Sequence, residues 1–197
     1  MRLVVDWDGT VTEDDVLREV VRAFGSERIY EHTEGRLGRE LTLNEVIAIE
    51  VETMSAPLPE VLGWVRENVR LRDGFHDVAR RRRPLVVSSG FHELIEPVLE
   101  REGLELEVVA NTLDPRPEGW RAIFRHAQTC AVCGEPCKRE DVAGLDGFDY
   151  AGDGVSDRCV ALAASRVFAR AGLAEYLRER GVPFEPFHDF HDIARAL

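Results

Sequence analysis

The chain has 197 residues, of which 44% are hydrophobic and 31% charged, so it is long enough for one sizeable core and a small second unit. Its net charge of −12 argues against nucleic acids and anionic membranes as partners. No apolar stretch approaches the length of a membrane span, and the N-terminus lacks the apolar core of a signal peptide, so we expect a cytoplasmic protein.

The first informative stretch is RLVVDWDGTVT, residues 2–12. Its apolar run Leu3-Val4-Val5 ends at two acids and a glycine, which is typical of a buried strand that leads into a loop. Asp6 and Asp8 are two residues apart, so their side chains point to the same side of an extended chain. Open α/β sheets bind ligands at this end of their strands, and neighbouring carboxylates need a counter-charge such as Mg²⁺. Alternatively, Asp8-Gly9 forms an ordinary turn with both acids solvated.

A helical region follows, roughly residues 13–70. Thr12-Glu13-Asp14-Asp15 has the form of a capping box with Thr12 at the N-cap, and Thr42-Leu43-Asn44-Glu45 has the same form. A third helix is predicted to begin at Pro57–Pro59. Because these amphipathic segments contain no strand between them, we expect a small helical bundle inserted into the fold over residues 13–71.

From residue 84 onward, strand-like and helical segments alternate, which predicts an α/β fold with a parallel sheet. The predicted strands cover residues 84–87, 104–113, 120–124, 148–151, 166–169 and 183–187. The predicted helices cover residues 91–99, 173–180 and 190–197. Residues 1–12 and 72–197 are therefore expected to form the core domain, with the helical insertion as a second unit.

Four motifs lie at or just beyond the ends of predicted strands. They are DWDGT with Asp6 and Asp8, SSG with Ser88, Lys138, and GDGVSD with Asp153 and Asp157. Lys138 is the only lysine among the 25 lysine and arginine residues. Each has an ordinary alternative, since the serine could cap a helix, the acids could belong to turns and the lysine could lie on the surface. Their order resembles that of the haloacid dehalogenase superfamily of aspartate-nucleophile phosphatases, whose motifs are D-x-D-x-T, a Ser or Thr, a Lys and an acidic G-D-x-x-x-D.

The resemblance implies a Rossmann-like doubly wound core and gives each motif a role. Asp6 would be the nucleophile that forms an aspartyl-phosphate, and Asp8 would be the general acid and base. Mg²⁺ would be bound by Asp6, by Asp153 and by the backbone carbonyl of Asp8, with Asp157 supporting the metal or the lysine. The predicted phosphate contacts come from Thr10, Ser88, Ser89, Gly90 and Lys138.

The helical insertion resembles the cap of the phosphoserine-phosphatase-like subclass, which closes over small substrates. In that subclass the position of Asp15 carries an acid that contacts substrate, although here Asp15 also belongs to the predicted capping box. Arg36 and Arg39 could bind a substrate carboxylate or be solvated. The tail VFARAGLAEYLRERGVPFEPFHDFHDI, the LRDGF segment and the cysteine loop resemble the methionine-salvage 2-hydroxy-3-keto-5-methylthiopentenyl-1-phosphate phosphatases. This chain has Ser89 where the superfamily usually has Gly, and GDGVSD where that group often has GDSVTD.

We therefore expect a Mg²⁺-dependent phosphomonoesterase that acts on a small phosphorylated metabolite, with phosphoserine as the second candidate substrate. Two alternatives belong to other classes. One is a phosphate-binding or regulatory protein that has the fold and no activity, and the intact motifs argue against it. The other is an enzyme that uses Asp6 on another bond, as dehalogenases do. Asp8 and Asp153 argue against that alternative, because dehalogenases lack this metal-binding pair of acids.

Three of the four cysteines form C-x-x-C-x-x-x-C at Cys130, Cys133 and Cys137, with His126 four residues upstream. Thiolates and an imidazole at this spacing could close a tetrahedral zinc site that fixes the loop carrying the lysine. The alternatives are reduced thiols packed in the loop and a disulfide within the cluster. Cys159, on the helix after GDGVSD, is expected to be a core residue.

Overall fold

The computed structural model describes residues 1–197 and is built on one sheet. Its strands are Arg2–Val5 (β1), Leu85–Phe91 (β2), Glu107–Asp114 (β3), Arg121–Ile123 (β4), Phe148–Gly152 (β5), Arg166–Ala169 (β6) and Glu185–Pro186 (β7). The strand order is β4-β3-β2-β1-β5-β6-β7, and all pairs are parallel except β3 with β4 at one edge. The chain order reverses at β1, so the carboxyl end of β1 lies at the switch point where such sheets bind ligands.

Helices cover both faces of this sheet, and together they confirm the predicted α/β class. They are Val16–Phe24 (α1), Glu27–Glu34 (α2), Leu43–Glu52 (α3), Leu58–Asn68 (α4), Phe75–Arg82 (α5), His92–Arg101 (α6), Arg158–Ala161 (α7), Ala171–Glu179 (α8) and Phe190–Ala196 (α9). Helices α1 to α4 lie between β1 and β2 in the chain, where the helical insertion is predicted. None of the nine helices combines the length and the apolar composition needed to cross a membrane.

The start of α1 differs from the prediction. Asp15 itself is the N-cap, and its carboxylate accepts the N–H of Arg18 at 2.9 Å. The Thr12 hydroxyl lies 2.7 Å from the carbonyl oxygen of Asp14 and 3.0 Å from that of Trp7. The predicted capping box at Thr12 is therefore wrong, because residues 7–11 first form a wide turn that engages this hydroxyl.

The second predicted capping box is confirmed at the start of α3, where Thr42 and Glu45 each accept from the other's backbone N–H. Helix α2 lies inside the region predicted to be helical, residues 13–70, but was not predicted as a separate helix, and α5 was not predicted. Helix α2 buries only Thr33 and so presents no apolar stripe, and the stripe of α5, Phe75, Val78 and Ala79, spans little more than one turn before a run of arginines.

Two hydrophobic clusters lie on opposite faces of the sheet. The side chains of β1 alternate between them, since Leu3 and Val5 enter the larger cluster and Val4 enters the smaller one. The larger cluster also contains apolar side chains of α1, α3 and α4, so the inserted helices share a core with the sheet. Trp120 adds polar links, because its backbone N–H donates to the Met54 carbonyl at 2.9 Å and its indole N–H donates to the Ala56 carbonyl at 3.1 Å.

Candidate active site

The carboxyl ends of three adjacent strands bring the predicted acids and the serine together. Asp6 follows β1, and Asp153 follows β5 on one side of it. On the other side Ser88 is the middle residue of β2, directly after Val87, where the regular pairing of β2 with β3 breaks. The Asp6 N–H donates to the carbonyl of Ala151 at 2.9 Å, which continues the β1–β5 ladder one residue beyond β1. Strand pairing therefore fixes the separation of these side chains, although they are up to 147 positions apart in the sequence.

Lys138 joins two of these acids from a separate loop. Its side chain is 1% exposed, and its ammonium group donates to Asp6 Oδ1 and, at 2.8 Å, to Asp157 Oδ1. Asp157 Oδ1 also accepts the Tyr150 hydroxyl at 2.6 Å. Asp157 Oδ2 accepts the backbone N–H groups of the two residues after β5, at 2.8 and 2.9 Å. These donors hold the pKa of Asp157 below its usual value, chiefly through Lys138, despite complete burial.

The acids of this site exceed its cations. Carboxylate oxygens of Asp6, Asp153 and Asp157 lie within 4.8 Å of one another, and Lys138 is the buried cation that contacts Asp6 and Asp157. Burial and repulsion by Asp157 raise the pKa of Asp6 to about 6. Burial, Asp6 and Asp157 raise the pKa of Asp153 to about 8. Such carboxylates are the oxygen ligands that Mg²⁺ prefers, so the donor set fits a divalent cation.

The hydrogen bonds distinguish the ligands that are free to bind such a cation. A carboxylate has about four lone-pair positions, and those of Asp157 are taken up by Lys138, Tyr150 and two N–H groups. Asp153 accepts only the Thr10 hydroxyl, at 3.1 Å. Asp6 and Asp153 are therefore the side chains available to a metal, whereas Asp157 orients the lysine.

Asp8 lies beside the serine motif. Its Oδ2 accepts the Ser88 hydroxyl at 3.2 Å, and its Oδ1 accepts the N–H of Val16 at 3.0 Å. The Gly90 N–H donates to Ser88 Oγ at 2.8 Å, so the Ser88 hydroxyl is fixed between the Gly90 N–H and the Asp8 carboxyl group. Burial, followed by repulsion from Asp15 and Asp6, raises the pKa of Asp8 to about 8. A protonated carboxyl group at neutral pH is suited to donate a proton to a leaving group.

The turn that carries Asp8 is held by two arginines that sequence reasoning missed. The Arg72 guanidinium donates to four carbonyl groups of residues 9–13 at 2.8–3.0 Å, and Arg170 donates to the Gly9 carbonyl at 2.8 Å. Gly9 has φ +73°, and a Cβ there would lie 2.5 Å from Asp153 Oδ2. The turn therefore needs glycine at this position, both for its backbone and for its close approach to Asp153.

Tyr150 and Asn111 are further residues that the sequence analysis did not select. The Asn111 side-chain amide donates to the Ser89 carbonyl at 2.7 Å and accepts from Arg125, which links the serine motif to the loop before Lys138. Buried polar side chains on otherwise apolar strands were the available signal, since such groups need partners.

A cleft of about 270 Å³ opens above these groups and extends toward the inserted helices. Its acidic lining includes Asp8 and Asp15 together with Glu34 of α2 and Glu50 of α3. Ser89 and Gly90 lie on its wall. Asp15 thus lines the cleft and caps α1 at once. A larger groove of about 950 Å³ between α5, α6 and β3 contains none of the predicted site residues.

The cysteine prediction needs two corrections. His126 is not part of the cluster, because its Nε2 lies 2.6 Å from Asp141 Oδ1. Cys159 is buried, and its sulfur lies 4.0 Å from that of Cys130, so it joins the cluster instead of serving only as core. The fourth member comes from α7 because β5 ends next to the loop, which sequence spacing alone does not reveal.

Comparisons with known proteins fit this geometry. A family model described as haloacid dehalogenase-like hydrolase matches residues 3–162. A 2-hydroxy-3-keto-5-methylthiopentenyl-1-phosphate phosphatase of Geobacillus kaustophilus (strain HTA426) is 28% identical, covering 99% of this chain and 94% of its own. Polyol phosphate phosphatase PYP1 of Saccharomyces cerevisiae (strain ATCC 204508 / S288c) is also 28% identical, covering 99% and 91%. A substrate-bound phosphoserine phosphatase has the same fold, with a TM-score of 0.74 at 16% identity and coverage of 100% and 98%.

Proposed function

Because this chain belongs to the haloacid dehalogenase-like hydrolase family and is a phosphatase, we propose that it hydrolyses a small phosphomonoester through an aspartyl-phosphate on Asp6. The observation that carries the proposal is the convergence of Asp6, Asp8, Ser88, Lys138 and Asp153 at the carboxyl end of β1. Nucleophile, acid, phosphate donors and candidate metal ligands then lie around one point, which is the arrangement that phosphoryl transfer requires.

In the first step, an oxygen of Asp6 forms a bond to phosphorus while the bond from phosphorus to the leaving oxygen breaks. Asp8 gives its proton to that oxygen, so the product leaves as an alcohol. Lys138 holds Asp6 Oδ1, which leaves the other oxygen for attack. The Ser88 hydroxyl donates to Asp8 Oδ2 in the substrate-free site, and it would turn to donate to a phosphoryl oxygen when substrate binds. A divalent cation such as Mg²⁺ would be held by Asp6, Asp153 and the backbone carbonyl of Asp8, and it would neutralise phosphate charge in this acidic site.

In the second step, Asp8 takes a proton from water, and the water oxygen attacks phosphorus. The bond between phosphorus and Asp6 breaks, which releases inorganic phosphate and restores the carboxylate. The raised pKa of Asp8 suits both transfers, since the group gains in one step the proton that it gives in the other.

The inserted helices are proposed to act as a cap that selects the leaving group. Leu17 of α1, Tyr30 of α2 and Ile47 of α3 face the same cleft as Asp6 and Asp8. A leaving group bound there would be shielded from water on one side by apolar side chains. The shared hydrophobic core of cap and sheet supports a cap that packs closely over the site.

The charge of the cleft favours one of the two candidate substrates. Its lining contains the acids Asp15 and Glu34, together with Glu50, whose pKa burial raises to about 8, and it contains no lysine, arginine or histidine. Arg36 of the insertion is paired with Glu40 at 2.8 Å and does not line the cleft. A substrate carboxylate would therefore meet acids without a basic partner, which costs binding energy. We infer a leaving group without a negative charge, such as the 2-hydroxy-3-keto-5-methylthiopentenyl type, and place phosphoserine second.

Phosphatase activity is tested with p-nitrophenyl phosphate, with and without Mg²⁺. We expect turnover that requires the metal and falls at least about 10³-fold in Asp6→Asn. Near-normal activity of Asp6→Asn would contradict the assignment of Asp6 as the nucleophile. A wild-type protein without turnover would contradict the proposed phosphatase activity.

Selection against carboxylates is tested with two pairs of substrates that differ by that group. The pairs are glycerol 3-phosphate with 3-phosphoglycerate, and phosphoethanolamine with phosphoserine. We expect kcat/KM to be at least about tenfold higher for the member without the carboxylate, which corresponds to about 1.4 kcal/mol. Equal values within both pairs would leave the phosphatase in place and refute the charge argument.

A further inference from the structure

All four cysteines of the chain meet at one place behind the active site. The sulfurs of Cys130, Cys133, Cys137 and Cys159 lie within 4.8 Å of one another, and all four are free thiols. Four sulfurs at about 2.3 Å from a tetrahedral zinc ion are about 3.8 Å apart, close to the 4.0 Å between Cys130 and Cys159. We propose that these four cysteines bind one structural zinc ion.

The first two ligands lie in a tight turn of the kind that presents paired thiolates to a metal. The Gly134 N–H donates to the Cys130 carbonyl at 2.8 Å, and the Cys130 N–H donates to the Glu135 carbonyl at 3.0 Å. Gly134 has φ +79°, which closes the turn in a conformation that favours glycine. The Val132 N–H points at Cys130 Sγ at 3.4 Å, a contact that stabilises a thiolate.

The other two ligands explain what the ion would hold. Cys137 immediately precedes Lys138, and Cys159 follows Asp157 by two residues. The ion would therefore tie together the two segments whose side chains form the 2.8 Å contact between Lys138 and Asp157. A closed site with four protein ligands has no position for substrate, so its role is structural.

The surroundings suit the charge of such a site. Four thiolates around Zn²⁺ carry a net charge of −2. Arg158 lines the same cavity as Cys133, Cys137 and Cys159, and Arg139 donates to the Cys159 carbonyl at 3.2 Å. The loop of residues 124–139 contains no helix or strand, so the ion would also supply order that regular hydrogen bonding does not.

The test is the metal content of the full chain, expressed with added zinc and dialysed without a strong chelator. We expect about one zinc per chain by inductively coupled plasma mass spectrometry, as four ligands in one cluster imply. Cys133→Ser is the preferred variant because its side chain is exposed, and we expect it to lose most of the zinc. His126→Gln is the matched control, and we expect it to keep the metal.

Cobalt provides an independent readout on the unaltered chain. We expect metal-free protein titrated with Co²⁺ to show thiolate charge-transfer bands and the intense visible bands of tetrahedral cobalt, saturating at one equivalent. Four readily titrated thiols together with no tetrahedral cobalt spectrum would overturn the proposal. A disulfide in the intact mass of freshly purified protein, or equal zinc loss in His126→Gln, would overturn it as well.

Discussion

Asp8 occupies a position at which a single side chain has two consecutive tasks. It is hydrogen-bonded to Ser88 on one oxygen and to the Val16 N–H on the other, so its orientation is fixed before substrate arrives. The paired spacing of Asp6 and Asp8 was visible in the sequence. The role of Arg72 could not be predicted from the sequence. Arg72 fixes the turn that leads from the two acids to the inserted helices, but its four acceptors are backbone carbonyls, which carry no sequence signal.

Replacing the proposed acid and base should separate the two steps. With p-nitrophenyl phosphate, whose leaving group needs no proton, we expect Asp8→Asn to release about one equivalent of nitrophenol per site in a burst and then turn over about 10²–10⁴-fold more slowly than wild type. Stopped-flow absorbance measures both phases. Steady turnover at the wild-type rate would exclude Asp8 as the base.

Glu50 predicts a pH dependence of stability. Its carboxylate is 1% exposed and accepts the Thr33 hydroxyl at 2.7 Å. Burial raises its pKa to about 8, with smaller contributions from Glu34 and Asp15. Because the pKa of Glu50 is higher in the folded chain than in the unfolded chain, the protonated carboxyl group stabilises the fold. This contribution to the free energy of unfolding is complete below about pH 4.5 and is lost as the pH rises through about 8.

We therefore expect Glu50→Gln to flatten the decline in the free energy of unfolding between pH 5 and pH 8 and to be more stable than wild type near pH 9, as follows from the linkage above. Urea unfolding across this range measures the change. Glu52→Gln, an exposed acid on the same helix, is the control. Parallel pH profiles for wild type and Glu50→Gln would show that Glu50 is ionised in the folded protein.

Among the helices, α3 was predictable from local sequence signals, whereas other elements depend on tertiary contacts. Its capping box was predicted correctly because all of its partners lie within four residues. Helix α2 lies in the predicted helical region but was not predicted as a separate helix, since Thr33 is its only buried residue and its position depends on neighbouring helices. The cysteine cluster was only partly predicted for the same reason: three members are close in sequence, and Cys159 is brought in by the end of β5.

The capping box of α3 has a measurable contribution to stability. Thr42→Ala removes the hydroxyl that accepts the Glu45 N–H, and we expect a loss of about 1 kcal/mol in the free energy of unfolding. Urea denaturation is the measurement. Thr129→Ala, an exposed threonine in the cysteine loop, should change stability by less than about 0.5 kcal/mol. Equal effects of the two substitutions would contradict the capping role.

In the whole molecule, the parallel sheet could be expected from the alternating segments, whereas its strand order, which positions most of the site, could not. Asp6 and Asp153 meet because β1 pairs with β5, a neighbour that alternation alone does not specify. The division at residue 71 between cap and core stays a prediction, since one hydrophobic cluster extends through both units.

The surplus of buried acids predicts that Mg²⁺ stabilises the folded chain. Binding to the native state alone raises the midpoint of thermal unfolding, and relief of repulsion between Asp6 and Asp153 is the proposed source. Differential scanning calorimetry should show a shift with Mg²⁺ in wild type and in Asp146→Asn, an exposed control, and little or none in Asp153→Asn. The same shift in all three proteins would place the ion elsewhere.

The most direct measurement is the identity of the phosphorylated residue during turnover. Wild-type enzyme is mixed with excess p-nitrophenyl phosphate, quenched in acid and reduced with borohydride, and its peptides are sequenced by mass spectrometry. We expect homoserine at position 6, the product of reducing an aspartyl-phosphate, and an unmodified position 6 when substrate is omitted. Modification at another residue, or none during active turnover, would show that Asp6 is not the nucleophile.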